Sequence, residues 1–120
     1  MSKNFGDIIR SVSTTLRQLR ASQPDLMKGF HALSDAALRD GVLDHKTKEL
    51  IALCLGVAGH CDACIGFHVK ALVKAGATRA EIEEALGVAV YMGGGPSLMY
   101  AADVLTAFEQ MSLSAASVAA

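Results

Sequence analysis

The chain reads as a single all-α domain of about six helices. Three observations predict it. Apolar residues recur at three- and four-residue steps, and runs of alternating β-branched or aromatic residues are scarce. Helix start and stop residues also punctuate the chain at regular intervals. At 120 residues the length fits one domain and one core.

Each helix has its own justification. In "FGDIIRSVSTTLRQLRAS", Ile8, Ile9, Val12, Leu16 and Leu19 fall near one face. "SQPDLMKGFHALSDAALRDG" follows as a second helix. Pro24 suits its first turn, Asp25 comes next, and Gly41 supplies the stop. "LDHKTKELIALCLGVAGH" is the third, with Asp44 as N-cap and Gly59 as terminator. "CDACIGFHVKALVKAGA" is the fourth and ends at Gly76. The fifth, "ATRAEIEEALGVAVYMGGG", opens on a capping box in which Thr78 and Glu81 satisfy each other's free backbone N–H groups. Gly93, Gly94 and Gly95 then break the chain. "PSLMYAADVLTAFEQM" is the sixth helix, with Pro96 near its start. The domain core is expected over about 24–110, and the small, uncharged tail over about 112–120 is expected to fray.

Composition narrows the function. Hydrophobic residues make up 52% and charged residues 19%, with a mean hydropathy of +0.35. So small a chain with so little charge must leave apolar faces uncovered, which points to an obligate homo-oligomer. The net charge is −1, and the 11 basic residues form no run or stripe, so no nucleic-acid partner is expected. The start, "MSKNFGDIIR", has no apolar signal region, and no apolar stretch is long enough to span a membrane. Three cysteines are an odd number and too few for a disulfide scaffold, which points to a reducing cytoplasm.

The chemistry concentrates in "HCDACIGFH", from His60 to His68. Cys61, Cys64 and His68 stand at i, i+3 and i+7, so on a helix they share an arc of roughly 60°. Cys61 follows the Gly59 break, where free N–H groups and the helix dipole stabilise a thiolate. A C-x-x-C pair there can close to a disulfide with little backbone movement. His68, one turn past Cys64, is placed to act as a base. Glu49 lies twelve residues before Cys61 and is the last charge before a long apolar stretch. If the third and fourth helices fold back on each other, it approaches the dithiol. Partial desolvation there suits a carboxylate to proton transfer.

Glu49, eleven residues, then Cys61-Asp62-Ala63-Cys64, and His68 after three more: this resembles the E-x11-C-x2-C-x3-H signature of the AhpD-like alkylhydroperoxidases, within the carboxymuconolactone decarboxylase superfamily. The similarity runs from about Lys46 to about Leu105. It includes "HVKALVKAGATRAEIEEALGVAVYMGGGPSLMYAADVL" and is strongest to short, single-domain members. The resemblance implies an AhpD-like orthogonal helical fold assembled as trimers or hexamers, with the hexamer favoured for the short form. It also implies a thiol-dependent peroxidase or disulfide oxidoreductase. In that scheme Cys64 attacks a hydroperoxide, and Cys61 resolves the sulfenic acid to a Cys61–Cys64 disulfide. Glu49 and His68 pass protons, towards Cys61 and Cys64 respectively. A dithiol or thioredoxin-like partner restores the thiols, and no cofactor beyond the redox-active disulfide is needed. The pattern departs from the type member at Ala63, where that protein has a histidine immediately before the second cysteine. Here His60 precedes the first cysteine instead.

Other readings of these residues stand beside this one. The superfamily's decarboxylases lack the C-x-x-C pair, so a lyase acting on a small carboxylate or lactone is the alternative enzyme. A non-catalytic metal-binding oligomer is the alternative from another class. Its zinc site would use Cys61, Cys64, His68 and one of Cys54, His60 or Glu49. No second C-x-x-C or H-x-x-H pair is present, and no metal site is expected. Ile65 stands where haem attachment needs a histidine. Cys54 sits in an apolar run and reads as core. His31 and His45 read as surface or cap residues, and His60 either ends a loop or modulates Cys61. Tyr91 and Tyr100 flank the triple glycine, as pocket or core residues. "GGGP" lacks the lysine and spacing of a phosphate loop and reads as a tight helix–helix turn.

Overall fold

A computed structural model describes residues 3–119 of the chain. It contains six helices and, among the described residues, no strand: α1 (Phe5–Ser22), α2 (Pro24–Leu38), α3 (His45–Ala58), α4 (Asp62–Lys74), α5 (Arg79–Gly93) and α6 (Gly95–Ala119). The all-α reading therefore holds, and most helix starts fall where local chemistry puts them. The Asn4 side chain accepts from the Asp7 N–H to cap α1, and Asp44 accepts from the Thr47 N–H to cap α3. Thr78 and Glu81 form the capping box of α5, and Pro24 opens α2.

Two boundaries differ from the sequence expectation. α2 ends at Leu38, three residues short of Gly41, and Arg39 is already extended. Its last carbonyls are taken by side chains of α3: His45 Nδ1 lies 2.6 Å from the Leu38 oxygen and Lys48 Nζ 2.7 Å from that of Arg39. At the other end, the segment expected to fray is helical through Ala119. That segment is rich in alanine, the strongest helix former, and carries no Gly or Pro to stop the helix.

The core forms where α3, α4, α5 and α6 meet, with the first turns of α1 closing one side. Each helix contributes one stripe. These are Leu53 and Val57 on α3; Ile65, Val69 and Leu72 on α4; Ile82, Leu86 and Ala89 on α5; and Ala101, Val104, Ala107 and Met111 on α6. Burial of each larger aliphatic side chain stabilises the fold by about 1.5–3 kcal/mol. The core is not confined to residues 24–110. Phe5 and Ile9 of α1 are buried in it, whereas α2 contributes no buried residue. α1 approaches α4 across Gly66, where a Cβ would run into the Ile9 side chain. The amide of Gln110 pins the N-terminus by accepting from the Phe5 N–H and donating to the Lys3 carbonyl, each at 2.8 Å.

"GGGP" is a tight turn. α5 stops at Gly93, Gly94 takes φ +74°, and α6 begins at Gly95. A Cβ on Gly93 would collide with Ser97 across that turn. No described helix is long and apolar enough to cross a membrane.

Candidate active site

The site forms where α3 hands over to α4. The C-terminus of α3 closes in a Schellman motif: the Cys61 N–H donates to the Gly56 carbonyl at 3.0 Å and the His60 N–H to that of Val57 at 3.1 Å. Such a motif needs one residue in the left-handed region, and here it is His60, with φ +54°. α4 ends in the same motif, where glycine takes the position as Gly76, with φ +80°. His60 is held there by stacking flat on Tyr100, with ring centroids 4.8 Å apart and planes 4° from parallel.

This turn delivers Cys61 to the N-cap of α4, one position ahead of the first-turn placement read from sequence. Its sulfur accepts from the Cys64 N–H at 3.2 Å. Cys61 and Cys64 form a disulfide, with Cα atoms 5.2 Å apart. Gly56 of α3 lies directly beneath, where a Cβ would come within 3.0 Å of Cys64 Cβ. Both cysteines are partly exposed. Between them Asp62 accepts from Lys3 Nζ at 3.0 Å. Lys3 also donates to Asp103 at 2.8 Å and sits 5.1 Å above the Tyr100 ring. The hydrogen bonds to Asp103 and then Asp62 push the Lys3 ammonium up to about 12.

Glu49 is 3% exposed, although it is a carboxylate. α3 places it on the stripe that continues through Leu53 and Gly56, facing α4. The fold-back expected from sequence does bury it against α4, and its hydrogen-bond partner is His68, with Nδ1 2.6 Å from Oε1. A carboxylate oxygen accepts, so the imidazole nitrogen donates. The second oxygen, Oε2, faces His45 Nε2 at 3.7 Å. Spacing alone thus assembled Cys61, Cys64 and His68, and the fold adds Glu49 through His68. Sequence reasoning missed His45 as part of this constellation; its i, i+4 spacing from Glu49 was the available signal.

Of the remaining candidates, Cys54 and Tyr91 fall away from the site, whereas Tyr100 borders it through its stack on His60. Cys54 packs against the core, donates weakly to the Ala85 carbonyl at 3.4 Å, and has its thiol pushed up by burial. That is an unreactive setting. Tyr91 is exposed and Tyr100 partly buried. Among the described residues, no three His, Cys, Asp or Glu side chains converge to hold a metal ion.

Comparison with known proteins supplies the family of the chain. The carboxymuconolactone decarboxylase family model matches residues 24–107. A crystal structure of a protein of that family from Legionella pneumophila is 57% identical, covering 90% of this chain and 96% of that one, with a TM-score of 0.89. Another from Thermotoga maritima, described as a candidate participant in antioxidative response, is 36% identical over 71% of this chain and 88% of that one, with a TM-score of 0.66. An uncharacterized protein of Cupriavidus necator is 39% identical, over 92% of this chain and 98% of its own length.

Proposed function

The chain belongs to the carboxymuconolactone decarboxylase family, and from that premise we propose that it is a thiol-dependent peroxidase of the alkylhydroperoxidase type, working in a reducing cytoplasm. The observation that carries this reading is the Cys61–Cys64 disulfide at the start of α4, one turn from a histidine bonded to a buried carboxylate. The cycle uses those groups alone. The Cys64 thiolate attacks one peroxide oxygen. The O–O bond breaks, Cys64 becomes a sulfenic acid, and the departing alkoxide takes a proton from His68 to leave as an alcohol. Cys61 then attacks the sulfenic sulfur, expelling hydroxide, which leaves as water once protonated, and forming the disulfide. As N-cap, Cys61 is suited to act as a thiolate, because the Cys64 N–H already points at its sulfur. An external dithiol reduces the disulfide and is itself oxidised to a disulfide.

The structure of the redox pair supports this over a lyase, since a C-x-x-C disulfide has no part in lactone decarboxylation. Thiol titration of the reduced protein after one equivalent of a small alkyl hydroperoxide should show a loss of two thiols per chain. Cys64→Ser should abolish peroxide consumption. Cys61→Ser should give a single turnover and leave a sulfenic acid on Cys64 that a dimedone probe captures. Sustained consumption by Cys64→Ser would refute the proposal.

The functional unit is proposed to be a homo-oligomer, with a hexamer favoured. Supporting this, α2 buries nothing within the chain and exposes Leu26, Phe30 and Leu33. A second apolar groove of about 420 Å³ runs between α3 and α5, past Ile51, Leu55, Val88 and Met92.

A further inference from the structure

We propose that His45 is the solvent end of a proton relay, His45–Glu49–His68, that recharges the dithiol site. It rests on the peroxidase reading for its purpose, but its geometry stands independently.

The tautomer of His45 is fixed by its surroundings. Nδ1 lies 2.6 Å from the Leu38 carbonyl oxygen, which can only accept, so Nδ1 carries a hydrogen. In the neutral ring Nε2 is then a lone pair, and it faces Glu49 Oε2 at 3.7 Å. A lone pair and a carboxylate oxygen repel unless a proton lies between them. The pair is therefore a proton site, with the proton on Nε2 or on Oε2. The separation is ion-pair range rather than hydrogen-bond range, so transfer requires a small closing movement, as is common for catalytic groups in resting structures.

The other carboxylate oxygen holds the His68 Nδ1–H at 2.6 Å. One buried carboxylate thus joins two imidazoles, one on each oxygen. The carboxylate is the buried middle of this chain of groups: the side chain of Glu49 is 4% exposed, against 42% for His45 and 26% for His68, so of the two imidazoles His45 is the more open to water. The backbone at His45 is anchored as well, because its N–H donates to Asp40 Oδ1 at 2.7 Å.

The steps balance without further reagents. As the Cys64 thiolate forms, its proton passes to the other ring nitrogen of His68, the Nδ1–H moves to Glu49 Oε1, and the proton on Oε2 moves to His45 Nε2, which releases one to water. When the alkoxide takes the proton from His68, the same three transfers run in reverse, and water recharges His45.

A purely structural role is the competing account, since His45 also caps α2. His45→Asn separates the two. Asparagine can still donate to the Leu38 carbonyl from the position of Nδ1 but has nothing titratable at the position of Nε2. The relay predicts that this variant keeps its thermal midpoint and KM. Its kcat should fall about tenfold, within the range of general acid–base effects, and imidazole in the buffer should restore it. Unchanged kcat, or a fall that imidazole does not repair, would overturn the relay.

An activity-independent readout keeps failure of the relay distinct from failure of the peroxidase reading. Histidine ring ¹⁵N spectra of the full chain, followed against pH, should show the His45 titration moving when His68→Gln or Glu49→Gln is introduced. The other charged groups around His45 are Asp40 and Asp44 ahead of it and Lys48, on the neighbouring Arg39 carbonyl. These stay constant in both variants. An unmoved His45 titration would exclude the relay whether or not the protein reduces peroxides. A moved titration in a protein that consumes no peroxide would support the relay and refute the peroxidase reading.

Discussion

His60 carries a conformation that glycine carries at the matching position of α4. A non-glycine residue in the left-handed region costs about 1–2 kcal/mol, and the flat stack on Tyr100 returns about 0.5–1.5 kcal/mol. These nearly cancel, so His60 is retained at little net cost, directly before the cysteine that caps α4. Two substitutions separate the contributions. His60→Ala keeps the strained backbone and loses the stack, so it should destabilise the protein by about 1 kcal/mol. His60→Gly loses the stack but relieves the strain, so its unfolding free energy should lie within about 0.5 kcal/mol of the parent. Urea denaturation of the oxidised proteins measures both. Equal losses in the two variants would show that left-handed strain is not the governing term. The same residue bears on the dithiol, because the His60 turn sets the Cys61 N–H on the Gly56 carbonyl and so fixes where the sulfur lies.

Among the helices, the caps of α3 and α5 both depend on carboxylates held below their ordinary range. For Asp44 the main cause is its hydrogen bond to Thr47, and for Glu81 it is the bond to Lys46, 2.8 Å away. The sign follows directly. A carboxyl with a lowered folded-state pKa adds stability above its unfolded pKa, and that stability is lost as the pH falls through the folded value. Thermal melts should therefore weaken from the ordinary carboxylate range downward. Asp44→Asn, which still caps, and Glu81→Gln should each flatten that acid limb. An undiminished acid limb in the double variant would place the acid sensitivity elsewhere. These caps were legible in the sequence because a cap is a transaction between residues three apart. The end of α2 was not, because its carbonyls are satisfied by His45 and Lys48 from the next helix. The site divides in the same way. Cys61, Cys64 and His68 share a helix face by spacing alone. The bond from His68 to Glu49 needs α3 folded against α4. Taken singly, His45 reads as a surface or cap residue, although it stands four positions, one helical turn, before the one buried carboxylate among the described residues.

At the scale of the whole molecule, between Ile9 and Glu49 no residue is buried. Most of α1, all of α2 and the turn after it therefore form an arm that the chain's own core does not use. On α2 the apolar residues Leu26, Phe30 and Leu33 stand at i, i+4 and i+7 and are 58%, 66% and 65% exposed. Such a stripe is what a buried helix presents to a core, yet nothing within the chain covers it. These three side chains are already partly covered, so burying the rest would contribute about 3–5 kcal/mol per chain. A two-fold contact would use the stripe twice, about 6–10 kcal/mol, which is of the order of the roughly 4–15 kcal/mol that association costs. Light scattering at micromolar concentration should accordingly return a multiple of 12.5 kDa, with six copies expected. The paired variant Phe30→Asp with Leu33→Asp should lower that mass. It should keep its helical circular dichroism, because neither residue touches the core of α3 to α6. A parent protein that runs as a 12.5 kDa monomer would refute the assembly. A paired variant that keeps the full mass would move the interface from α2 to the groove between α3 and α5, where Val88→Asp is the corresponding test.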